Sequence, residues 1–255
     1  MSEFIKIEQQ EQILVVRLSR PEKKNALTLD MYDALTQALA KLEADNSLRV
    51  ILITGSADSF TSGNDIMDFI QNPPTGEHSP VSKFLKAIST CAKPIVVAVN
   101  GLAIGIGTTM LLHSDLVYAS DKATFQLPFV SLALVPEAAS SLILTRMMGH
   151  QKAAELLLLG EMFDAEKAAE LGIVTKVVDD EKLFETALDA AKNIAQKAPE
   201  ALRLSKALMK SKTDTIEERM HEEGVIFQKR LTSPEALEAM TAFMERRKPD
   251  FSKFD

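Results

Sequence analysis

Three stretches of the sequence carry groups that could do chemistry. The first holds a lone carboxylate, Glu137, within Leu134-Val135-Pro136-Glu137-Ala138-Ala139-Ser140-Ser141. It follows a proline and an apolar run, at the expected start of a helix. One reading is a first-turn glutamate stabilised by the helix dipole. The other is a general base in an apolar pocket, where desolvation lifts a carboxyl pKa towards its working pH. The dipole opposes that lift, so the net direction stays open. The second stretch is Asn100-Gly101-Leu102-Ala103-Ile104-Gly105-Ile106-Gly107-Thr108-Thr109-Met110, just after a strand-like run. Free N–H groups at a helix start carry partial positive charge and can hold an anion or a developing oxyanion. The same glycines could instead serve only a tight turn and close packing. The third stretch is Ser59-Phe60-Thr61-Ser62-Gly63-Asn64-Asp65-Ile66. Gly63 permits an unusual backbone angle there, Asp65 suits a helix cap, and the Asn64 N–H could face a cleft. Two such loops, each exposing one N–H, would make an oxyanion hole if they met.

Other chemistries lack their residues. A dinucleotide fingerprint starting at Gly105 needs glycine where Met110 stands, and no P-loop or G-x-S-x-G elbow is present. His221-Glu222-Glu223-Gly224-Val225 fails as a zinc motif because its fifth residue is valine. With His78, His113 and His150 scattered, no metal is expected.

The 29 basic and 36 acidic residues leave a net charge of −7, which disfavours a nucleic-acid partner. One cysteine, Cys91, precludes an intramolecular disulfide framework. No run of roughly 18 apolar residues offers a membrane span. Neither a signal-peptide h-region nor an SKL-type ending is seen, so a cytoplasmic location and no membrane partner are expected.

The elements that must position these groups alternate in the first half. Runs 13–18, 50–54 and 94–99 are short, β-branched and continuously apolar, as in a parallel sheet covered on both faces. Thr28 is placed to cap a helix whose apolar face is Met31, Leu35, Ala38, Leu39 and Leu42. From Pro136 onward helical periods dominate, at 153–159, 165–171, 182–198, 200–209 and 216–231, interrupted by a strand at 173–178. An α/β core with a helical C-terminal part is the reading.

Together these pieces resemble the crotonase superfamily, the enoyl-CoA hydratase/isomerase fold. The resemblance rests on Arg20-Pro21-Glu22-Lys23-Lys24-Asn25-Ala26-Leu27, Phe60 to Asp65, Asn100 to Gly107, Ser114 to Ser120, Ala123-Thr124-Phe125 and Ala165 to Val174, in the family's order. It implies a spiral of ββα turns over residues 1–198 and a helical trimerisation region over 199–255, assembled as a homotrimer or a hexamer of two trimers. It also implies acyl-CoA substrates, with no separate cofactor because coenzyme A is part of the substrate. The two oxyanion-hole N–H groups carry over to Asn64 and Ile106. Lys23 and Lys24 fall in the loop that lines the CoA nucleotide pocket, and Arg247 and Lys248 in a C-terminal basic motif; either cluster could equally be a solvated surface. Ile66, Phe69, Phe129 and Leu134 are candidates for the acyl pocket or for core packing.

The departures from the family decide the expected chemistry. Thr109 and Phe129 stand where enoyl-CoA hydratases carry their two glutamates, so hydration should be badly impaired. Glu137 stands where hydratases have glycine, as the single catalytic glutamate does in peroxisomal-type Δ3,Δ2-enoyl-CoA isomerases. The resemblance therefore implies an isomerase of 3-enoyl-CoA thioesters. Hydration, thioester hydrolysis and a non-catalytic acyl-CoA-binding role stand as alternatives.

Overall fold

A computed structural model describes residues 2–212 and 215–254; Met1 and Asp255, at the chain ends read above for targeting signals, fall outside them. Among these described residues ten strands form two sheets. In chain order they are β1 (Ile5–Gln10), β2 (Ile13–Leu18), β3 (Val50–Thr54), β4 (Ser59–Thr61), β5 (Ile95–Val99), β6 (Leu102–Ile104), β7 (Leu116–Ser120), β8 (Thr124–Gln126), β9 (Phe163–Asp164) and β10 (Lys176–Val178). The larger sheet runs β1-β2-β3-β5-β7-β10 and the smaller β4-β6-β8-β9. Among the described strands β1/β2 and β8/β9 pair antiparallel and the other pairs run parallel.

The order of strands defines a spiral. Each of the pairs β3–β4, β5–β6 and β7–β8 lays one strand in the larger sheet and the next in the smaller, and helical chain then returns to start another turn. The strand-helix alternation and parallel pairing expected from the sequence are present. The three-residue strands of the smaller sheet were expected only through the ββα turns that the family resemblance implies.

Period-2 alternation explains why the central runs are apolar throughout. Leu14, Val16, Ile51, Ile53, Ile95 and Val97 point into the principal core, with the helix Leu29–Ala44. Ile13, Val15, Val50, Leu52, Val96 and Ala98 point the other way, onto the helix Leu183–Ala195. That helix contributes Ala187 and Ala191, both fully buried, whose small side chains let its backbone lie close to the sheet. Thr28 caps the helix Leu29–Ala44 as expected, its side chain accepting from the Met31 N–H.

Several boundaries differ from the sequence expectations. The 173–178 strand is reduced to β10, because Gly172 at φ +80 turns the chain and leaves Ile173 and Val174 as buried turn residues. The 153–159 helix is His150–Ala154 followed by a π-helical turn, Glu155–Leu159. The 182–198 helix stops at Ala195, ahead of the Pro199–Lys210 helix. Beyond Pro199 come Ile216–Leu231 and Pro234–Met244, and no strand lies among the described residues of this part. Lys206 fastens it to the spiral, reaching the Asp115 carboxylate and the Lys93 carbonyl, each at 2.7 Å. Among the described residues no helix is long and apolar enough to cross a membrane.

Candidate active site

Each full turn of the spiral delivers one candidate group beyond its strand in the smaller sheet. Asn64 follows β4, Ile106 follows β6, and Glu137 lies in the longer loop after β8. The parallel pairing of these strands brings the three loops to the same end of the sheet.

Asn64 is held by a parallel bridge to Leu27. The Leu27 N–H donates to the Gly63 carbonyl and the Asp65 N–H to the Leu27 carbonyl, both at 2.8 Å. In such a bridge the middle residue's own N–H points to the opposite side. That side is β6: a Cβ built on Gly63, whose φ is +93, would stand 3.0 Å from the Ile104 carbonyl oxygen. One residue along, a Cβ on Gly107 would come within 2.7 Å of the Thr61 side chain. Glycine at both positions is what lets the two loops touch. Ile106 opens the four-residue helix Ile106–Thr109, so its N–H has no intrahelical acceptor. Among the described residues, neither the Asn64 nor the Ile106 N–H donates to another group.

The loop that includes Asn64 is tied to residues 20–32 along its length. Arg20 donates to the Asp65 carboxylate at 2.6 Å and holds its pKa below the ordinary range. Asp65 in turn caps the helix Ile66–Gln71, as the sequence suggested. Asp68 accepts from the Leu29 N–H at 2.8 Å. The fully buried Asn25 donates to the carbonyls of Ser56 and Ser59, and the Tyr32 hydroxyl donates to Asn64 Oδ1. None of these partners was identified from the sequence. The usable sign was a tyrosine, not a phenylalanine, on the buried face of an amphipathic helix.

Glu137 is not a first-turn residue, contrary to the expectation. The helix begins at Ser140, because Ala138 and Ala139 adopt left-handed φ values of +54 and +55. Each such residue costs about 1–3 kcal/mol and persists only where its surroundings hold it in place. Here they do: the Ser140 N–H and hydroxyl donate to the Glu137 carbonyl at 2.9 and 2.7 Å, and His113 Nε2 is hydrogen-bonded to the Ala138 carbonyl at 2.8 Å. This backbone turns the carboxyl into the protein. Burial pushes the Glu137 pKa up to about 7, and the hydroxyl of Thr109 draws it back only in part. Thr109 Oγ1 and Glu137 Oε1 are both buried, and neither makes a hydrogen bond of ordinary geometry. Burial, and to a lesser degree the Glu137 carboxylate, raise the pKa of the Tyr32 phenol. A carboxyl poised near neutrality can take a proton and return it.

The remaining sequence candidates spread outward. Lys23 and Lys24 are exposed, in a turn whose carbonyls accept from Ser62 at 3.3 and 2.9 Å. Phe129 is buried in the principal core, and Phe69 is half-buried beside Tyr32, with ring centroids 6.5 Å apart. Ile66 and Leu134 are exposed. Arg247 is paired with Glu238 and Glu245, and Lys248 is exposed. Among the described residues no cluster of three or more His, Cys, Asp or Glu could hold a metal.

A spiral of this order, with loops from successive turns meeting at one end, defines a crotonase-type fold, and sequence comparison agrees. The family model for enoyl-CoA hydratase/isomerase matches residues 8–253, and the chain belongs to that family. It is 33% identical to human enoyl-CoA delta isomerase 2 over 96% of its own length, while spanning only 64% of that relative. It is 32% identical to 1,2-epoxyphenylacetyl-CoA isomerase of Escherichia coli K12, covering 99% of both chains. Among solved structures, a putative enoyl-CoA hydratase/carnithine racemase from Magnetospirillum magneticum is 44% identical, with a TM-score of 0.96 over 99% of this chain and all of that one.

Proposed function

We propose that the chain is a Δ3,Δ2-enoyl-CoA isomerase with Glu137 as its single acid–base residue. Glu137 removes a proton from C2 of a 3-enoyl-CoA, leaving a dienolate conjugated with the thioester. The N–H groups of Asn64 and Ile106 hold the thioester oxygen as it gains charge; one such donor is typically worth about 2.7–4 kcal/mol of barrier. The protonated carboxyl then returns the proton at C4, giving 2-trans-enoyl-CoA.

The observation that carries this reading is the isolation of the Glu137 carboxyl. Burial and Thr109 account for its pKa, and no second carboxylate acts on it among the described residues. Hydration needs one group to activate water and another to manage the proton delivered to carbon, and Thr109 and Phe129 can do neither. Moving a double bond needs one base that keeps its proton.

In this proposal Lys23, Lys24, Arg247 and Lys248 bind the CoA phosphates, and Ile66, Phe69, Phe129 and Leu134 line the acyl path. Residues 1–198 form the catalytic spiral and 199–255 an assembly region for a trimer or a pair of trimers. Exposed Phe227, Leu237 and Phe243 on the last helices support that assignment. The test is a paired assay with 3-enoyl-CoA and with 2-trans-enoyl-CoA in water. Isomerisation should exceed hydration by about 10² or more, the scale of one acid–base group. Comparable rates on the two substrates would sink the assignment.

A further inference from the structure

The reaction above makes no use of the hydroxyl of Tyr32. Tyr32 is fully buried, its ring edge-on to Phe84 with centroids 5.4 Å apart and tilted against Phe69. A phenylalanine would fill that aromatic nest equally well. A hydroxyl there is costly to bury unless it finds a partner, and its partner is Asn64 Oδ1. Asn64 is thus gripped twice by one short segment. Leu27 holds its backbone through the parallel bridge, and Tyr32, four residues into the helix Leu29–Ala44, holds its carboxamide.

The second grip matters because of the residue before it. The N–H of Asn64 belongs to the peptide that joins it to Gly63; the Leu27 N–H holds the carbonyl end of that peptide at 2.8 Å, while glycine at φ +93 adds no side chain to stiffen it. Fixing the Asn64 side chain restricts the torsions on the far side of the same peptide. Tyr32 also lies within electrostatic reach of Glu137, so the helix that aims the donor flanks the base.

Building on the reading of Asn64 as an oxyanion donor, we propose that Tyr32 is a positioning residue. Acting through the Asn64 carboxamide, it fixes the direction of the Asn64 N–H relative to Glu137. It touches no reacting atom. Its contribution appears in the enolisation step and not in ground-state binding.

The experiment compares the parent with Tyr32→Phe, Asn64→Ala, which keeps the backbone N–H, and the double variant. Two rates are followed: isomerisation of a 3-enoyl-CoA, and exchange of the C2 proton for deuterium in D2O, with thermal midpoints alongside. Tyr32→Phe should lower kcat and the exchange rate about 2- to 12-fold, the span of one net hydrogen bond, with KM within about twofold. The double variant should be no slower than the slower single variant, because both remove one interaction. An unchanged kcat in Tyr32→Phe, or losses that multiply in the double variant, would overturn the proposal. If the parent exchanges the C2 proton but forms no isomerised product, the isomerase reading fails alone and the exchange rates still decide the role of Tyr32. A parent that does neither overturns both.

Discussion

Replacing Glu137 by glutamine separates catalysis from stability, because the two should move in opposite directions. Glutamine keeps the size of the side chain but carries no proton to exchange, so acyl-CoA affinity should persist while isomerisation falls by about 10²–10⁴ or more. Stability follows from linkage. Folding raises the Glu137 pKa from 4.5 to about 7, so between those values the folded state binds more protons than the unfolded one. The stabilising contribution is complete below the unfolded pKa and is lost as pH rises through about 7. A shift of about 2.5 units at 1.36 kcal/mol each corresponds to about 3 kcal/mol at pH 8.5, before screening and relaxation reduce it. Glutamine stays neutral and escapes that penalty. The variant should match the parent at pH 4.5 and exceed it at pH 8.5 by up to roughly 6–12 °C in Tm. Thermal unfolding of both proteins at the two pH values, with kcat on a 3-enoyl-CoA, checks both halves. Equal Tm differences at the two pH values would show that Glu137 is not buried as a carboxylate. A kcat within a few-fold of the parent would show that it is not the base.

Three further outcomes follow from the same coordinates. The acid limb of kcat/KM should fall near pH 7, and Thr109→Val should move it upward by removing the group that draws the Glu137 pKa back; a downward move or none in the pH profile contradicts that role. Lys206→Met should destabilise by about 3–5 kcal/mol in urea unfolding, because it strands the Asp115 carboxylate of a largely buried pair; a loss under 1 kcal/mol would mean that the pair is not needed to hold the C-terminal helices. Ala139→Gly should raise stability by about 0.5–1 kcal/mol by relieving a left-handed alanine, while kcat falls as the Glu137 turn loosens; a destabilised variant would show that the turn is not strained.

What could be read from the sequence divides along physical lines. β2, β3 and β5 were legible because both of their faces are buried, so their β-branched runs are unbroken. The helix Leu29–Ala44 announced itself by its cap and stripe. β4, β6 and β8, three residues each, are too short for a period to register, so the smaller sheet entered only through the family resemblance. In the site, Glu137 stood out because a lone carboxylate amid apolar residues is unusual. Its local backbone did not, since alanines at 138 and 139 signal helix and give no hint of positive φ. Tyr32, Asn25 and Arg20 were illegible for another reason. Their partners lie more than 30 residues away, at Asn64, Ser59 and Asp65, and only tertiary structure introduces them.

The neighbouring strands of the smaller sheet also act as a ruler. Adjacent parallel strands stand about 4.8 Å apart. Two N–H donors that share one oxygen at about 2.9 Å each, along lone-pair directions roughly 110–120° apart, require their nitrogens to be about 4.8–5.0 Å apart. If Asn64 and Ile106 are the donors, the spacing of β4 and β6 is of the size that their shared oxygen requires. The side chain at position 106 can then vary without changing that spacing, whereas the one at 64 still sets the direction of its own N–H through Tyr32. The loop after β8 lies outside that constraint, so on the proposed reading a proton-transfer group can be moved, swapped or lost there without disturbing the two amides beyond β4 and β6.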